Sequence, residues 1–388
     1  MGKFIYLIWV CPKTILDIFY TVRYNLDMQT ISLCMIVKDE EKAIGRCLDC
    51  VKDIVDEIVI IDTGSTDKTV EIVSKYTDKV YHFEWIDDFA AARNFSFSKA
   101  TKDYVMWLDA DDCLTEENRK KLLELKRTLN PEIDTVMCVY DIAFDANGKP
   151  TFSYNRERIM KRCESAVWHG AVHECINPFG KVITSDFAVH HRKEKPGEPG
   201  RNLRIYEKKL KNGGEFNPRE RYYYSRELYE HKRYKEAINN FKIFLKDGKG
   251  WVEDNICACH LIGESFKALS DPDSALQAFF YSFIYDDPRP EICCSIAQHF
   301  FDKNNMRQAA YWYRVALENS VITSKRELHG FVLRDCHGYI PAIQLCVCYD
   351  RMGDYENSVK YNEMAGSFKP NDRTYLYNKK YFEKKNNG

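Results

Sequence analysis

The stretch YVMWLDADDC, Tyr104 to Cys113, runs a strand-forming apolar segment into three carboxylates, Asp109, Asp111 and Asp112. Like charges at one strand tip repel each other and lose solvation unless a cation sits among them, and a hard divalent ion is the natural partner. Mg2+ or Mn2+ takes one or two protein carboxylates and leaves its other positions to water and phosphate oxygens. Asp109-Ala110-Asp111 therefore reads as a site for a metal-bound diphosphate. Asp109 and Asp111 fall on the same side of an extended chain. Acids at a strand end also cap a following helix, and the stretch taken alone divides evenly between the two roles.

Other residues widen the candidate chemistry. Asp62 in EIVIIDTGSTDKTVEIV ends a second apolar run and is placed to hydrogen-bond a nucleobase or ribose, while Arg93 in AAARN can neutralise a phosphate or hold the base. His190 and His191 close a later strand; we take His191 as the one reaching the metal or the diphosphate, a polar strand terminus being an equally good account. Cys47 and Cys50 have CxxC spacing, but no second pair stands at zinc-ribbon distance, so they read as small thiols on a helix.

Alternating elements must position these residues. ISLCMIV from Ile31 is a continuous apolar run of the kind buried on both faces of a parallel sheet, and KDEEKAIGRCLDCVKDI switches to helical spacing. EIVIIDTGSTDKTVEIVSKY is strand, turn and helix, with Gly64 permitting the turn and Ser65 or Thr66 available as cap. VYHFEW, the helical FAAARNFSFSKA and the strand YVMWL follow, then a charged helix from Thr115 to about Pro131 and the strands TVMCVYDIAF and GKVITSDFAVHH. Such βαβ alternation implies an α/β, doubly wound, mostly parallel sheet, in which ligands bind beyond the carboxyl ends of the strands. Lys38 to Glu40, Asp62 and Asp109 to Asp112 then share one rim.

Gly- and Pro-rich EKPGEPGRN, Glu194 to Asn202, breaks the pattern. Beyond it the periodicity is helical only, and four segments align as helix, short polar turn and second helix with a small residue, at Ala237, Ala275, Ala309 and Ser358. The first three are spaced near the tetratricopeptide period. A generic helical bundle is the plainer alternative, weakened by the recurrence of small residue, turn and aromatic in register. We expect an extension over residues 1–28, an α/β domain over 29–215 and an all-α repeat domain over 216–388.

The 388 residues, 45% hydrophobic and 30% charged, suit a soluble globular chain with two cores. A net charge of −1 provides no field for nucleic acid or an anionic membrane, and no local basic patch replaces it. The 15 cysteines follow no disulfide framework and fit a reducing cytoplasm. FIYLIWV, Phe4 to Val10, is too short to span a bilayer and lacks a cleavage site, leaving an interfacial anchor or, as we prefer, an upstream extension with Met28 as an adequate start.

ISLCMIVKDEEKAIGRCLDCV, EIVIIDTGSTDKTVEIV, FAAARNFSFSKA and YVMWLDADD resemble, in order and spacing, the successive blocks of family 2 glycosyltransferases of the GT-A fold, over about half the chain from Ile31 to near Arg204. The resemblance implies a nucleotide-sugar donor, most often UDP-linked, with Val37, Glu40, Asp62 and Arg93 in the nucleotide pocket. Asp109 and Asp111 would be the two ends of the DxD. Lys38-Asp39 stands where many relatives carry Tyr-Asn. RIMKRCESAVWHGAVHECI resembles the W-x-G-x-V-H-E segment of a subgroup that includes lipopolysaccharide-core glucosyltransferases and the peptide S-glycosyltransferases that modify bacteriocins. Inverting transfer needs a base to take the acceptor's proton; Glu174 is the candidate, oriented by His173, with an exposed strand-end pair as the plainer reading. The implied acceptor is a peptide cysteine or serine, with a glycolipid or other cell-envelope glycan as the rival. The repeats would hold a peptide or pair two copies of the chain. A non-catalytic scaffold is the third reading, disfavoured by an intact DxD, Asp62, Arg93 and Glu174.

Overall fold

The computed structural model of the chain describes residues 28–145, 148, 150–194, 197–323 and 333–386. The expectations for Phe4 to Val10 and for an extension ahead of Met28 lie outside them. The chain divides into two compact units, one taking in residues up to Tyr140 and Asn155–Lys195, the other Asp141–Tyr154 and the chain from Pro196 onward.

In the first unit the apolar run from Ile31 becomes β1 (Ile31–Val37), and its neighbours are β2 (Glu57–Asp62), β3 (Val80–His82) and β4 (Tyr104–Trp107). β1, β2 and β4 are buried on nearly every residue, which is why their sequences show no alternation. Helices α1 (Ile44–Val51), α2 (Thr69–Val73) and α3 (Phe89–Lys99) make the crossovers, and α4 (Glu116–Thr128) follows. β1 pairs in parallel with β2 and β4, and β2 with β3. The remaining strands are β5 (Asp112–Cys113), β6 (Thr135–Phe144), β7 (Pro150–Lys161), β8 (Trp168–His169), β9 (Cys175–Ile176) and β10 (Val182–His191).

The sheet has eight strands in the order β3-β2-β1-β4-β7-β6-β10-β5, and β8 with β9 forms a separate two-stranded ribbon. Its parallel half is the expected one. Beyond β4 the pairing turns antiparallel, β4 with β7 and β10 with β5. β7, PTFSYNRERIMK, is a strand that charge hides in the sequence: Arg158 lies in its middle and is wholly buried.

The second unit is helical apart from its share of the β6–β7 hairpin. After α5 (Arg201–Lys211) come the pairs α6 (Pro218–Glu230) with α7 (Tyr234–Asp247), α8 (Val252–Ala268) with α9 (Pro272–Tyr281), α10 (Pro290–Asp302) with α11 (Met306–Thr323), and α12 (Tyr339–Arg351) with α13 (Tyr355–Phe368), then α14 (Arg373–Asn386). The four aligned small residues are all at 0% exposure. Each sits five positions after a turn residue in the left-handed region, Lys232, Ser270, Asn304 and Gly353 with φ of 60°, 61°, 57° and 79°. The register read from the sequence is thus a packing register: a tight turn returns the chain, and a residue without bulk lets the second helix lie against the first.

Candidate active site

The carboxyl ends of β1, β2 and β4 set out the expected rim, and each end is built by local hydrogen bonding. Asp62 closes β2, and its carboxylate accepts from Gly64 N at 3.2 Å and from Ser65 N at 3.0 Å, folding TGS into a turn for which Gly64 supplies φ 101°. Val37 is buried, and its carbonyl accepts from Thr63 N at 3.0 Å. Asp39, at φ 54°, accepts from Thr66 N at 2.6 Å through its carboxylate and donates its own N–H to Ser65 Oγ at 3.0 Å. The amide of Glu40 donates to Thr69 Oγ1 at 2.6 Å. Asp39 and Glu40 thus tie the loop after β1 to the turn after β2.

Arg93 is 6% exposed and bridges two carboxylates. Its Nη2 donates to Asp109 Oδ1 and its Nε to Glu174 Oε1, each at 2.8 Å. The guanidinium lies 4.9 Å from the ring of Trp107 and 4.7 Å from that of Trp168, which meet edge to face at 5.1 Å. Burial opposes the charge, but Asp109 and Glu174 more than restore it and hold Arg93 firmly as a cation. Burial likewise favours neutral Asp109, yet the charge and hydrogen bond of Arg93, with Arg158 and His191 behind them, bring its carboxyl down to about 2. Arg93, expected beside the nucleotide, joins Asp109 of the DxD to Glu174, the candidate base.

Asp112 is wholly buried and makes the strand end a pin. Its carboxylate accepts from Asp109 N at 3.0 Å, from the Tyr140 hydroxyl at 2.8 Å and from Arg158 Nη1 at 3.3 Å. The pairing of Asp112 with His191 across β5 and β10 brings the imidazole in, its Nδ1 lying 3.3 Å from Asp112 Oδ1, 3.2 Å from Asp111 Oδ1 and 3.0 Å from the Tyr140 hydroxyl. Burial works against an imidazolium here, but the hydrogen bonds to Asp111 and Asp112 outweigh it and raise His191 to about 10. Among the described residues, Asp109, Asp112 and His191 form a group offering three ligand atoms within 4.8 Å of one another. Two carboxylates and, in its neutral form, an imidazole make a donor set that could hold a divalent cation. Asp112, next to the expected DxD, is a member of that set, while Asp111 touches it through His191.

Glu174 and His173 lie in the loop between β8 and β9, with Gly170 at φ 93° and His173 at φ 51°. Sequence reasoning missed Trp107, Arg158 and Tyr140: the first sits inside an ordinary apolar run, the second inside a strand disguised by charge, and nothing in the spacing of the third sets it apart. Cys47 donates to Asp109 O at 3.4 Å and Cys50 to Arg46 O at 3.1 Å, as thiols on a helix would.

With this geometry in place, the chain can be set beside the known proteins it is similar to. The model of Glycosyl transferase family 2 matches residues 32–180. The chain is similar to the SPbeta prophage-derived glycosyltransferase SunS of Bacillus subtilis, 30% identical over 255 residues, 61% of this chain and 59% of SunS. It is also similar to a TPR repeat-containing protein of Synechococcus elongatus, 49% identical over 90 residues, 23% of this chain and 22% of that protein. Glucosyl-3-phosphoglycerate synthase from Mycobacterium tuberculosis, solved in complex with Mn2+ and UDP-glucose, matches at 13% identity over 50% of this chain and 84% of its own, with a TM-score of 0.34 that is too low to bear any argument. The match to the family 2 glycosyltransferase model thus runs from β1 through β9 and covers the candidate site apart from His191, and the helical hairpins follow it along the chain. The chain spans 59% of the length of SunS.

Proposed function

We propose that this chain is an inverting, divalent-metal-dependent glycosyltransferase that moves a hexose from a nucleotide sugar, UDP-linked, to a peptide side chain, a cysteine before a serine. The observation that carries the reading is the bridge of Arg93 between Asp109 and Glu174, which sets a carboxylate on the acceptor-side loop beside the acid and histidine cluster at the end of β4. Val37, Glu40 and Asp62 line the nucleotide side, and Asp109, Asp112 and His191, with Asp111 beside them, would hold the cation. Bound there, Mn2+ or Mg2+ supplies charge neutralisation for a departing diphosphate.

Glu174 takes the proton from the acceptor S–H or O–H as the new bond to the anomeric carbon forms and the bond to the diphosphate oxygen breaks; His173 orients it. Arg93 keeps Glu174 and Asp109 in fixed relation, and the fused rings of Trp107 and Trp168 keep water from Arg93. A thiol ionises far more readily than a hydroxyl, so it asks less of the base. The choice of a peptide rests on the resemblance of the W-x-G-x-V-H-E block to the peptide-modifying subgroup and on the repeats, a kind of surface suited to extended chains. We place the reaction in the cytoplasm on the 15 cysteines, which follow no disulfide framework along the sequence, and among the described residues no helix is long and apolar enough to cross a membrane.

The test is single-turnover transfer from UDP-glucose to a cysteine peptide, with Mn2+ or with EDTA, for wild type and Glu174→Gln. Transfer should require the metal and fall by about two to four orders of magnitude in the variant while donor affinity stays. Full activity in EDTA removes the metal from the reading; loss of donor binding moves Glu174 to the donor side. Transfer to an envelope glycan in place of the peptide favours the rival acceptor.

A further inference from the structure

We propose that Asn94 is a positioning residue: its side-chain amide holds the β8–β9 ribbon on helix α3 and thereby fixes where Glu174 stands. The inference rests on the role given to Glu174 above. Asn94 follows Arg93 in AAARN, yet it makes no contact with the acid cluster. Its Nδ2 donates to Trp168 O at 3.0 Å, and its Oδ1 accepts from Trp168 N at 2.8 Å. One amide thus closes both bonds on a single residue's backbone, as the edge of a neighbouring strand would.

The ribbon needs such a partner. β8 and β9 are two residues each, they pair only with each other, and an isolated hairpin of that size is marginal in water. Its loop, Gly170 to Glu174, carries two left-handed residues, and a Cβ on Gly170 would stand 3.3 Å from Val172 O. Helix α3 grips it at two further points: Phe89 N donates to Ala171 O at 2.8 Å, and Arg93 Nε holds Glu174. Phe89 and Arg93 are one turn apart on the same face. Asn94 secures the base of the ribbon, Phe89 its loop, and Arg93 the carboxylate itself. With both ends of its amide spent on the backbone, Asn94 acts on the reaction only through where Trp168 and the following loop sit.

The test uses Asn94→Ala in the full chain. Amide hydrogen exchange across residues 169–174 should quicken by at least about tenfold, with β1, β4 and β10 unchanged. With UDP-glucose, Mn2+ and a cysteine peptide, kcat should fall by roughly 10- to 100-fold at unchanged UDP-glucose affinity. Exchange and kcat both at the wild-type value overturn the proposal. So does faster exchange throughout the sheet with a matching loss of donor affinity, which would make Asn94 a residue of the fold alone. If wild type shows no turnover, the role of Glu174 falls, while the exchange measurement still decides whether Asn94 holds the ribbon.

Discussion

Arg93→Met is the substitution on which the site can be tested most sharply, because one buried cation holds two carboxylates. Asp109 lies at about 2 against 3.8 for an ordinary aspartate, a displacement worth about 2.4 kcal/mol. The Asp109 side chain is 33% exposed, so solvent screening reduces its share to about 1–2 kcal/mol. Glu174, 15% exposed, loses its partner in a more enclosed setting, where breaking a pair costs up to about 3–5 kcal/mol. Relief of the desolvated guanidinium returns part of this, and the net loss at pH 7 should be about 2–4 kcal/mol.

The sign with pH follows from the depressed carboxyl. Asp109 contributes stability that is present above about pH 4 and is lost as the pH falls through about 2, so its share of the Arg93→Met penalty should be roughly halved by pH 3. The assay is urea unfolding of wild type and variant in EDTA at pH 7, 4 and 3, followed by near-ultraviolet circular dichroism, where Trp107 and Trp168 report on the site. A penalty below about 0.5 kcal/mol at pH 7, or one that grows on acidification, refutes the assignment of Arg93 as the counter-ion of both acids.

The helical unit offers three further checks. A Cβ at Gly263 would come within 2.2 Å of Phe279 Cε1, so Gly263→Ala should cost about 1–3 kcal/mol in urea unfolding through overpacking, whereas a neutral or stabilising effect would mean α8 and α9 do not cross there. Ser270 turns the chain at φ 61°, and Ser270→Gly should raise stability by about 0.5–1 kcal/mol, with a loss counting against the left-handed turn. Burial lifts Asp254 to about 6, with Arg219 and Arg226 pulling the other way; its contribution is therefore present below about pH 4 and lost as the pH rises through about 6. Asp254→Asn should gain up to about 3 kcal/mol at pH 7.5, shrinking towards pH 4, and no gain at pH 7.5 would refute the buried-acid reading.

Much of the fold is legible in the sequence because its signals are local. β1, β2 and β4 announce themselves as unbroken apolar runs, and Ala237, Ala275, Ala309 and Ser358 recur at the point where one helix must approach another. β7 is illegible for an equally physical reason. Its NRERIMK segment opens with four polar or charged residues in a row, the look of a surface element, yet Arg158 is wholly buried, because its charge is met by Asp112 and the faces of Trp107 and Tyr140, at 3.6 and 4.3 Å. The partners that make such a burial affordable lie 46 and 51 positions away for Asp112 and Trp107, beyond any local pattern.

The same argument revises the question posed by the acidic strand end. Along the chain, Asp109, Asp111 and Asp112 look like three charges awaiting a metal. In the fold each already has company drawn from a different element: Arg93 from α3 for Asp109, Arg158 from β7 and Tyr140 from β6 for Asp112, His191 from β10 for Asp111 and Asp112. Four carboxylates, counting Glu174, face two guanidiniums, so the cluster keeps one negative charge while His191 is protonated and two when its imidazole is neutral, the form that can ligate a metal. What distinguishes this cluster from an ordinary buried ion network is that residue of negative charge, together with three ligand atoms within 4.8 Å. A structural network gains most by closing to neutrality. One left negative, at the carboxyl end of the central parallel strands where open sheets of this kind bind their ligands, would gain from a cation supplied from outside.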